Sequence, residues 1–163
     1  MKKIVVYCLA PEEINHDTTE YKNIEIEKWS PTLLNWIPPN SSIIYILFWV
    51  AHHFRIFKNR SYCAYKIVKD NQPISSLICV PPLFIWSFMK ANDIQIKNVF
   101  THPDYRGKRL AHNLLEAVKK LCYEDNRTFW YMTHDKNHSS LRLCEKAGFS
   151  FKGYYQKKVL FSF

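Results

Sequence analysis

The spacing of apolar residues changes between residues 93 and 125, and this change limits what the chain can fold into. Asp93–Thr101 alternates as a strand does. The alternation predicts one face with Ile94, Ile96 and Asn98, and an opposite face with Gln95, Lys97 and Val99. From about Arg106 to Asp125 the apolar residues recur at helical spacing, namely at Leu110, Leu114, Leu115, Val118, Leu121 and Cys122. The sequence therefore predicts a strand that passes through a short turn into a long helix.

The other segments predict a mixed sheet with helices on its faces, which is an α/β (α+β) fold. Further strands are expected at Lys3–Leu9, Tyr62–Lys69, Ile74–Val80, Arg127–Thr133, Phe149–Tyr155 and Lys158–Phe163. Helices are expected at Ile43–Phe57 and Ser139–Ala147. The first of these is apolar nearly all round at its start, so we expect that start to be buried. No long element is predicted for residues 11–42, which Pro31, Pro38 and Pro39 interrupt.

Size and composition indicate one domain over residues 1–163. The net charge of +9 suits an anionic partner, which charge alone leaves open among nucleic acid, acidic lipid and a phosphate-bearing cofactor or substrate. The five cysteines are odd in number and lack metal-ligand spacing, so we expect buried free thiols, a cytoplasmic location and no metal site. The apolar run Ile43–Ala51 is about half the length of a membrane span, so no transmembrane helix is expected.

The turn between the strand and the long helix is suited to binding an anion. The first N–H groups of a helix lack intrahelical partners, and the helix dipole adds partial positive charge there. Gly107 lets the backbone approach a phosphate closely, and Arg106, Lys108 and Arg109 supply full charges. These features predict a pyrophosphate site. A strand, a turn and a helix whose basic first residues are merely solvated would give the same sequence pattern.

Two motifs in this half of the chain resemble those of the GNAT family of N-acetyltransferases. Arg106-Gly107-Lys108-Arg109-Leu110-Ala111 is similar to the acetyl-CoA motif Gln/Arg-x-x-Gly-x-Gly/Ala. Further along, Asn137-His138-Ser139-Ser140 and then Cys144-Glu145-Lys146-Ala147-Gly148-Phe149 are similar to the second motif, Asn-x-x-Ser/Ala with an aromatic-Glu-Lys-x-Gly-Phe ending. The resemblance covers residues 62–155 well and residues 1–60 poorly.

The resemblance implies a mostly antiparallel sheet with a splayed pair of central strands, and a cofactor-binding half at roughly residues 92–155. It implies transfer of an acetyl group from acetyl-CoA to the amine of a small molecule, with no metal, and it leaves a homodimer open. In such proteins the strand backbone, here Val99, Phe100 and Thr101, bonds the pantetheine arm. Backbone N–H groups from Arg106 to Ala111 would hold the pyrophosphate, with Asn137 and Ser140 facing the cofactor from the other side.

Two positions depart from the family pattern. The middle glycine of the first motif is Arg109, which either crowds the turn or binds phosphate in a bidentate manner. The position often held by a tyrosine that protonates the departing thiolate is Cys144, which is either a weak proton donor or a core residue. The protonating role is then missing or is filled by another group.

Three further residues are candidates for handling the acceptor amine. His134 follows a central strand and is suited to relaying a proton through water, although a plain loop histidine would look the same. Asp93 and Gln95 lie where such sites often form and would act as a base or orient the acceptor.

A second resemblance concerns the acceptor. Phe88–Ile96, ahead of Thr101-His102-Pro103, is similar to GNAT-like proteins of surface-polysaccharide biosynthesis, which implies an amino sugar, free or nucleotide-linked. The aromatic residues Phe84, Trp86 and Phe88 would line an acceptor pocket or form a hydrophobic plug.

Three alternatives remain at this point. One is a GNAT fold that binds CoA or an acyl chain without catalysis, which Arg109 and Cys144 suggest. Another is a basic nucleic-acid-binding module. The basic residues are dispersed and form no known nucleic-acid-binding signature, so no nucleic acid is expected. The third is a membrane-surface protein that uses residues 43–60.

Overall fold

The computed structural model describes residues 3–14, 25–83 and 86–155. The strands are β1 (Ile4–Leu9), β2 (Ile26–Trp29), β3 (Cys63–Lys69), β4 (Gln72–Val80), β5 (Ile94–Thr101), β6 (Phe129–His134) and β7 (Ser150–Tyr155). The α-helices are α1 (Ile46–His53), α2 (Leu110–Leu121) and α3 (His138–Lys146). The strand predicted at Lys158–Phe163 and the aromatic residue Phe84 lie outside the described residues.

The strands form one seven-stranded sheet in the order β2-β3-β4-β5-β6-β1-β7. Every neighbouring pair is antiparallel except β5 and β6, which run parallel. Helix α2 connects these two strands, because a parallel pair needs a crossover between the end of one strand and the start of the next. The mixed, mostly antiparallel sheet with flanking helices is therefore confirmed.

The two faces of the sheet carry separate apolar clusters. Helices α2 and α3 pack on one face, where Ile94, Ile96 and Tyr131 meet Leu115 and Val118 in the larger cluster. Helix α1 lies on the other face, where Phe48 and the preceding Tyr45 pack against Tyr62, Ala64, Ile78 and Val80. The five cysteines are free and buried, as the sequence predicts.

A β-bulge interrupts the alternation of β5 at Asn98. Opposite β4, Lys97 pairs with Ile78 and Phe100 pairs with Ser76, so that β5 holds one extra residue. Asn98 adopts a left-handed conformation with φ of 48°. After the bulge Val99 packs on the same cluster as Ile94 and Ile96, while Asn98 is exposed. The predicted faces are therefore wrong beyond Lys97, because one inserted residue exchanges them.

The predicted helix Ile43–Phe57 needs correction in its bounds and in its burial. Residues Ile43–Tyr45 form a 3-10 turn, and α1 ends at His53 rather than at Phe57. The start of this segment is buried only at Tyr45, which is 7% exposed, since Ile43 is 72% exposed and Leu47 is 63% exposed. The helix packs through one side only, so its remaining apolar residues face solvent. Within residues 11–42 the described part holds only the four-residue strand β2 and a short 3-10 turn at Pro11–Glu13, which agrees with the prediction of no long element.

None of the helices in the described ranges is long and apolar enough to span a membrane.

Candidate active site

Strands β5 and β6 pair over a short stretch and then separate. The parallel register joins Ile94 to Phe129, Gln95 to Trp130 and Ile96 to Tyr131, and it ends there. Strand β5 continues to Thr101 along β4, whereas β6 continues to His134 along β1. The two strand ends therefore diverge, which is the splayed central pair that the sequence resemblance implies.

A cavity of about 570 Å³ lies where β5, α2 and α3 meet. Most of the residues expected to bind the cofactor line it. The full lining is Val99, Phe100, Thr101, Tyr105, Arg106, Gly107, Arg109, Leu110, Ala111, His112, Ser139, Ser140, Arg142, Leu143 and Lys146.

The turn at the mouth of this cavity ends in a left-handed residue immediately before α2. Gly107 has φ of 79° and Arg109 has φ of 57°, so neither residue is helical. A side chain at position 107 would meet no atom within 4 Å, so the left-handed backbone and not lack of space favours glycine there. The helix consequently begins at Leu110, and the predicted start at Arg106 is wrong.

The geometry of the turn decides which backbone groups are available to an anion. The N–H of Asn113 bonds the carbonyl of Arg109 at 2.9 Å, which leaves the N–H groups of Leu110, Ala111 and His112 without an intrahelical partner. The N–H of Arg106 bonds the carbonyl of Pro103 at 3.1 Å. The N–H of Arg106 therefore already has a partner and is less available to a pyrophosphate, and the binding role of the groups from Arg106 to Ala111 stays a prediction.

The charge of this cavity is positive. Arg106, Arg109, Arg142 and Lys146 line it, and among the described lining residues there is no Asp or Glu. Lys108 is not among the lining residues, and its Nζ lies over the ring of Tyr105, at 4.8 Å from the centroid. Sequence reasoning missed Arg142 and Lys146, whose four-residue spacing along α3 places them on one helix face.

His112 is a further lining residue that sequence reasoning missed. Its Nδ1 is buried and has no hydrogen-bond partner in the described structure. A buried imidazole nitrogen in an open cavity is a group that a ligand can satisfy.

A second cavity of about 320 Å³ occupies the gap between β5 and β6. It shares Val99 and Ser140 with the first cavity, so the two adjoin. The full lining is Ile4, Trp86, Gln95, Ile96, Lys97, Asn98, Val99, Tyr131, Met132, Thr133, His134, Asn137 and Ser140. Because strand residues alternate between faces, this lining includes side chains from both sides of the sheet.

Two polar atoms in the second cavity are buried and have no hydrogen-bond partner among the described residues. They are Trp86 Nε1, a donor, and Gln95 Oε1, an acceptor, and these residues are only 7% and 2% exposed. Buried polar groups in folded proteins are nearly always hydrogen-bonded, so such atoms in a cavity point to a ligand or ordered water.

Tyr131 also lines the second cavity and was missed by sequence reasoning. Its ring belongs to the core and is 4% exposed. Burial raises the pKa of Tyr131 to about 12, although a hydrogen bond with the Ser140 side chain acts in the opposite direction. The phenol therefore stays protonated at physiological pH, next to a serine that borders both cavities.

The catalytic candidates from the sequence lie in different environments. Gln95 and His134 line the second cavity, and His134 is exposed at the end of β6. Cys144 is fully buried in the core, and burial, followed by the nearby Glu145 charge, raises the pKa of its thiol far above the usual range. It lines neither cavity, so it is poorly placed to give a proton to a bound thiolate.

Asp93 lies one residue before β5 and is 1% exposed. Its carboxylate accepts hydrogen bonds from Lys90 N at 2.8 Å, Thr128 N at 3.1 Å and Trp130 Nε1 at 2.8 Å. These bonds join the start of β5 to that of β6. Asp93 lines neither cavity and has the contacts of a structural residue.

Asn137 forms the N-cap of α3. Its Oδ1 accepts a hydrogen bond from Ser140 N at 3.3 Å and another from Ser139 Oγ at 2.9 Å. The side chain thus fixes the start of the helix that presents Ser140 to the gap.

The family model that describes the Acetyltransferase (GNAT) family matches residues 19–149. This chain belongs to the GNAT family. Its members are in general acyl-CoA-dependent N-acyltransferases, which agrees with a basic cavity adjoining a gap in the sheet.

Solved structures of GNAT proteins share the fold at low sequence identity. A GCN5-related N-acetyltransferase from Sphaerobacter thermophilus matches with a TM-score of 0.64 and 15% identity, over 94% of this chain and 50% of its own. An acetyltransferase of the GNAT family from Colwellia psychrerythraea matches with a TM-score of 0.60 and 12% identity, over 93% and 53%. The chain therefore spans about half the length of these two proteins.

A third structure is AAC(6')-Iy in complex with the bisubstrate analogue CoA-S-monomethyl-acetylneamine. It matches with a TM-score of 0.55 and 13% identity, over 86% of this chain and 97% of its own. No curated protein matches the chain.

The environment of Asp93 predicts a structural role. Asp93→Ala removes the acceptor of three part-buried hydrogen bonds, so we expect the free energy of unfolding to fall by about 3 kcal/mol, measured by urea denaturation. The matched control is Asp125→Ala at an exposed position, where we expect a change within about 0.5 kcal/mol. An Asp93→Ala protein of unchanged stability that has lost acetyl transfer would instead make Asp93 catalytic.

Proposed function

We propose that this protein transfers an acetyl group from acetyl-CoA to a primary amine of a small molecule. The observation that carries the proposal is the direct contact between two cavities, a basic one at the start of α2 and one inside the splayed pair β5 and β6. A cofactor in the first would reach the second with its thioester, where an acceptor can meet it.

The basic cavity supports binding of the cofactor by its phosphates. The pyrophosphate would accept hydrogen bonds from the N–H groups of Leu110, Ala111 and His112, where the helix dipole adds positive charge. Arg106, Arg109, Arg142 and Lys146 would supply the balancing charge.

The pantetheine arm would lie along Val99, Phe100 and Thr101. The buried Ser75 fixes this stretch on the β4 side, because its Oγ donates to Phe100 O at 3.0 Å and lies 3.1 Å from Thr101 Oγ1. The opposite edge of β5 has lost β6 as a partner, so its backbone groups are available to the amides of the arm.

The residues around the gap support the chemical step. The amine nitrogen attacks the thioester carbon, and the carbon–sulfur bond breaks. Tyr131 would give the thiolate a proton, and His134 would take a proton from the nitrogen through water. The amide of Gln95 has no proton-accepting role at neutral pH, so it would orient the amine.

The acceptor that we favour is an amino sugar, free or nucleotide-linked. The resemblance of Phe88–Ile96 to GNAT-like proteins of polysaccharide biosynthesis supports it, and so does the size of the second cavity, which suits a molecule of that kind. Turnover of an acceptor separates this function from a GNAT fold that binds CoA without catalysis.

Arg109 gives a test of the cofactor site in which two measurements move in opposite directions. Arg109→Gly removes a left-handed non-glycine residue, so we expect the free energy of unfolding to rise by about 1 kcal/mol. Loss of its guanidinium should weaken acetyl-CoA binding about tenfold in calorimetry. The matched control Lys108→Ala removes a charge from the same turn outside the cavity, and we expect it to change affinity less. Equal losses in both variants would contradict a specific role for Arg109.

Tyr131 gives a test of the chemical step. Tyr131→Phe keeps the packed ring but removes the proton donor, so we expect kcat to fall about 100-fold while the Kd for acetyl-CoA stays unchanged. In the wild type, burial raises the pKa of Tyr131 to about 12, so its ionisation should cause no loss of kcat between about pH 8 and pH 10.

Tyr65→Phe is the control for this substitution, because it removes a buried phenol far from the gap, at a hydroxyl that lies 3.3 Å from Cys122 Sγ. An unchanged kcat in Tyr131→Phe would show that another group protonates the thiolate.

A further inference from the structure

We propose that this protein binds the surface of an anionic lipid membrane through exposed apolar side chains on α1 and on the segment before it. This inference goes beyond the proposed acetyl transfer and does not depend on it. Among the described residues, most of the large apolar side chains that are more than half exposed lie within residues 33–54. They are Leu33, Leu34, Ile43, Ile44, Leu47 and Phe54, and we call them the apolar surface.

The two segments that form the apolar surface pack against each other. The indole ring of Trp49 in α1 lies beside that of Trp36, with their centroids 5.8 Å apart. The Nε1 of Trp49 also donates a hydrogen bond to the carbonyl of Thr32 at 2.6 Å. Residues 32–36 are therefore held against α1, so the apolar side chains of both segments belong to one patch. An exposed apolar patch of this kind marks an interaction site.

The packing of α1 explains why these side chains stay exposed. Tyr45 and Phe48 face the sheet, where they belong to the smaller apolar cluster, and they account for the one side of the helix that is covered. Ile43, Leu47 and Phe54 recur at intervals of four and seven residues, which places them along a different side of the same helical segment. Exposure is thus a consequence of the fold and affects a whole side of α1.

The chain that follows α1 is held in a defined conformation beside Phe54. The N–H of Ile56 bonds the carbonyl of Ala51 at 2.9 Å, and the N–H of Arg55 bonds the carbonyl of His52 at 3.3 Å. These two bonds form a Schellman motif at the end of the helix. Phe54, which is 75% exposed, is therefore presented to solvent by a hydrogen-bonded helix end.

Arg55 occupies the position of this motif that glycine most often holds. Its φ is 58°, a left-handed conformation that is unfavourable for a residue with a side chain. The Arg55 side chain is exposed, and none of the ion pairs among the described residues includes it. A strained residue whose charge faces solvent is consistent with contact to an anionic partner outside the protein.

The segment that carries the apolar surface has only basic charges. Arg55, Lys58 and Arg60 follow α1 and are exposed, and they form no ion pair with a described residue. The sequence holds no Asp or Glu between Ser30 and Lys69. Leucine, isoleucine and aromatic side chains next to arginine and lysine are typical of segments that lie in the interface of an anionic membrane.

A lipid surface fits these charges better than a second copy of the chain does. A twofold contact would place the patch against itself, so that Arg55, Lys58 and Arg60 would meet the same cations of the other copy. Like charges brought together in this way are unfavourable. Anionic headgroups would instead attract the cations, while the acyl region would receive the apolar side chains.

Docking through α1 leaves the basic cavity accessible. Helix α1 lies on the sheet face opposite α2 and α3, whereas the basic cavity lies where β5, α2 and α3 meet. A membrane-bound molecule would therefore still take up a cofactor from solution.

Cosedimentation with vesicles tests the inference in the absence of cofactor and acceptor. The full chain is mixed with vesicles of phosphatidylcholine alone, or with vesicles of phosphatidylcholine and phosphatidylserine in equimolar amounts. We expect at least about tenfold tighter binding to the mixed vesicles, because each cation near an anionic surface contributes about fivefold in affinity. Added salt should weaken this binding by screening the charges.

Substitutions in the apolar surface locate the contact. Leu47→Ser and Phe54→Ser should each weaken binding to the mixed vesicles about fivefold, because less apolar area enters the membrane. Leu121→Ser is the control, since Leu121 is 61% exposed on α2 at the other sheet face, and it should leave binding unchanged. Thermal melting checks that each variant is folded.

Arg55→Gly separates the membrane contact from a structural role. Glycine relieves the left-handed strain, so we expect a higher urea midpoint of unfolding, whereas loss of the cation should weaken vesicle binding about fivefold. Lys136→Gln is the control, because it removes an exposed cation far along the chain from α1, and it should change vesicle binding little.

Several outcomes would overturn the inference. They are equal binding to the two kinds of vesicle, absence of vesicle binding, and binding that Leu47→Ser, Phe54→Ser and Arg55→Gly leave intact. A dimer that Leu47→Ser dissociates, in a protein that does not bind vesicles, would assign the apolar surface to a second copy instead. Failure of the proposed function is distinguishable, since it would appear as loss of acetyl-CoA binding or of transfer in a protein that still binds the mixed vesicles.

Discussion

The early end of pairing between β5 and β6 is the constraint on which the rest of the site depends. Strand β5 stays bonded to β4 as far as Thr101, but its register with β6 ends at Ile96. The bulge at Asn98 contributes, because a bulge bends the strand that contains it and increases its twist. Beyond this point the inner edges of both strands have lost their mutual bonds. Such groups need other partners, and an amide-containing ligand provides them.

The same divergence determines where charge can accumulate. Because β5 turns away from β6, its end leads into the turn at Gly107 and Arg109, and α2 then starts with its dipole directed at the cavity. Arg109 holds a left-handed conformation that is unfavourable for a residue with a side chain by about 1 kcal/mol. A strained residue at a ligand site is consistent with function, since the surrounding fold maintains it and its guanidinium lines the basic cavity.

The sequence predicts those parts of the molecule whose pattern extends over many residues. Strand β5, helix α2 and helix α3 follow from changes in apolar spacing, and the two motifs identify the cofactor turn. A bulge of one residue leaves no compositional sign, so the faces of β5 were predicted wrongly beyond Lys97. Tyr131 belongs to the core, and its sequence environment is that of a core residue. Its proposed role as a proton donor depends on the gap between β5 and β6, which only the tertiary structure creates.

Other differences arise because sequence pattern does not identify which surface covers a residue. The segment from Ile43 is apolar nearly all round, yet only one side of it meets the sheet, so apolar character there does not mean burial. In the sequence, Arg142 and Lys146 look like residues on the solvent-exposed face of a helix. Their place in the basic cavity becomes evident only when α3 is packed beside α2. Cys144 occupies a motif position associated with a proton donor, but the packing of α3 turns it into the core.

The surroundings of the acceptor amine bear on how it loses its proton. An amine must lose its proton before it can attack a thioester, and a nearby positive charge disfavours the ammonium form and lowers the pKa of the amine. Lys97, which lines the second cavity, would act in this direction on an amine that Gln95 orients, whereas His134 must be uncharged to accept the proton. A glutamine there provides a hydrogen bond without a negative charge that would stabilise the ammonium form. In the proposed reaction the electrostatic environment therefore reduces the need for a strong base, which agrees with a cavity whose described lining contains no carboxylate.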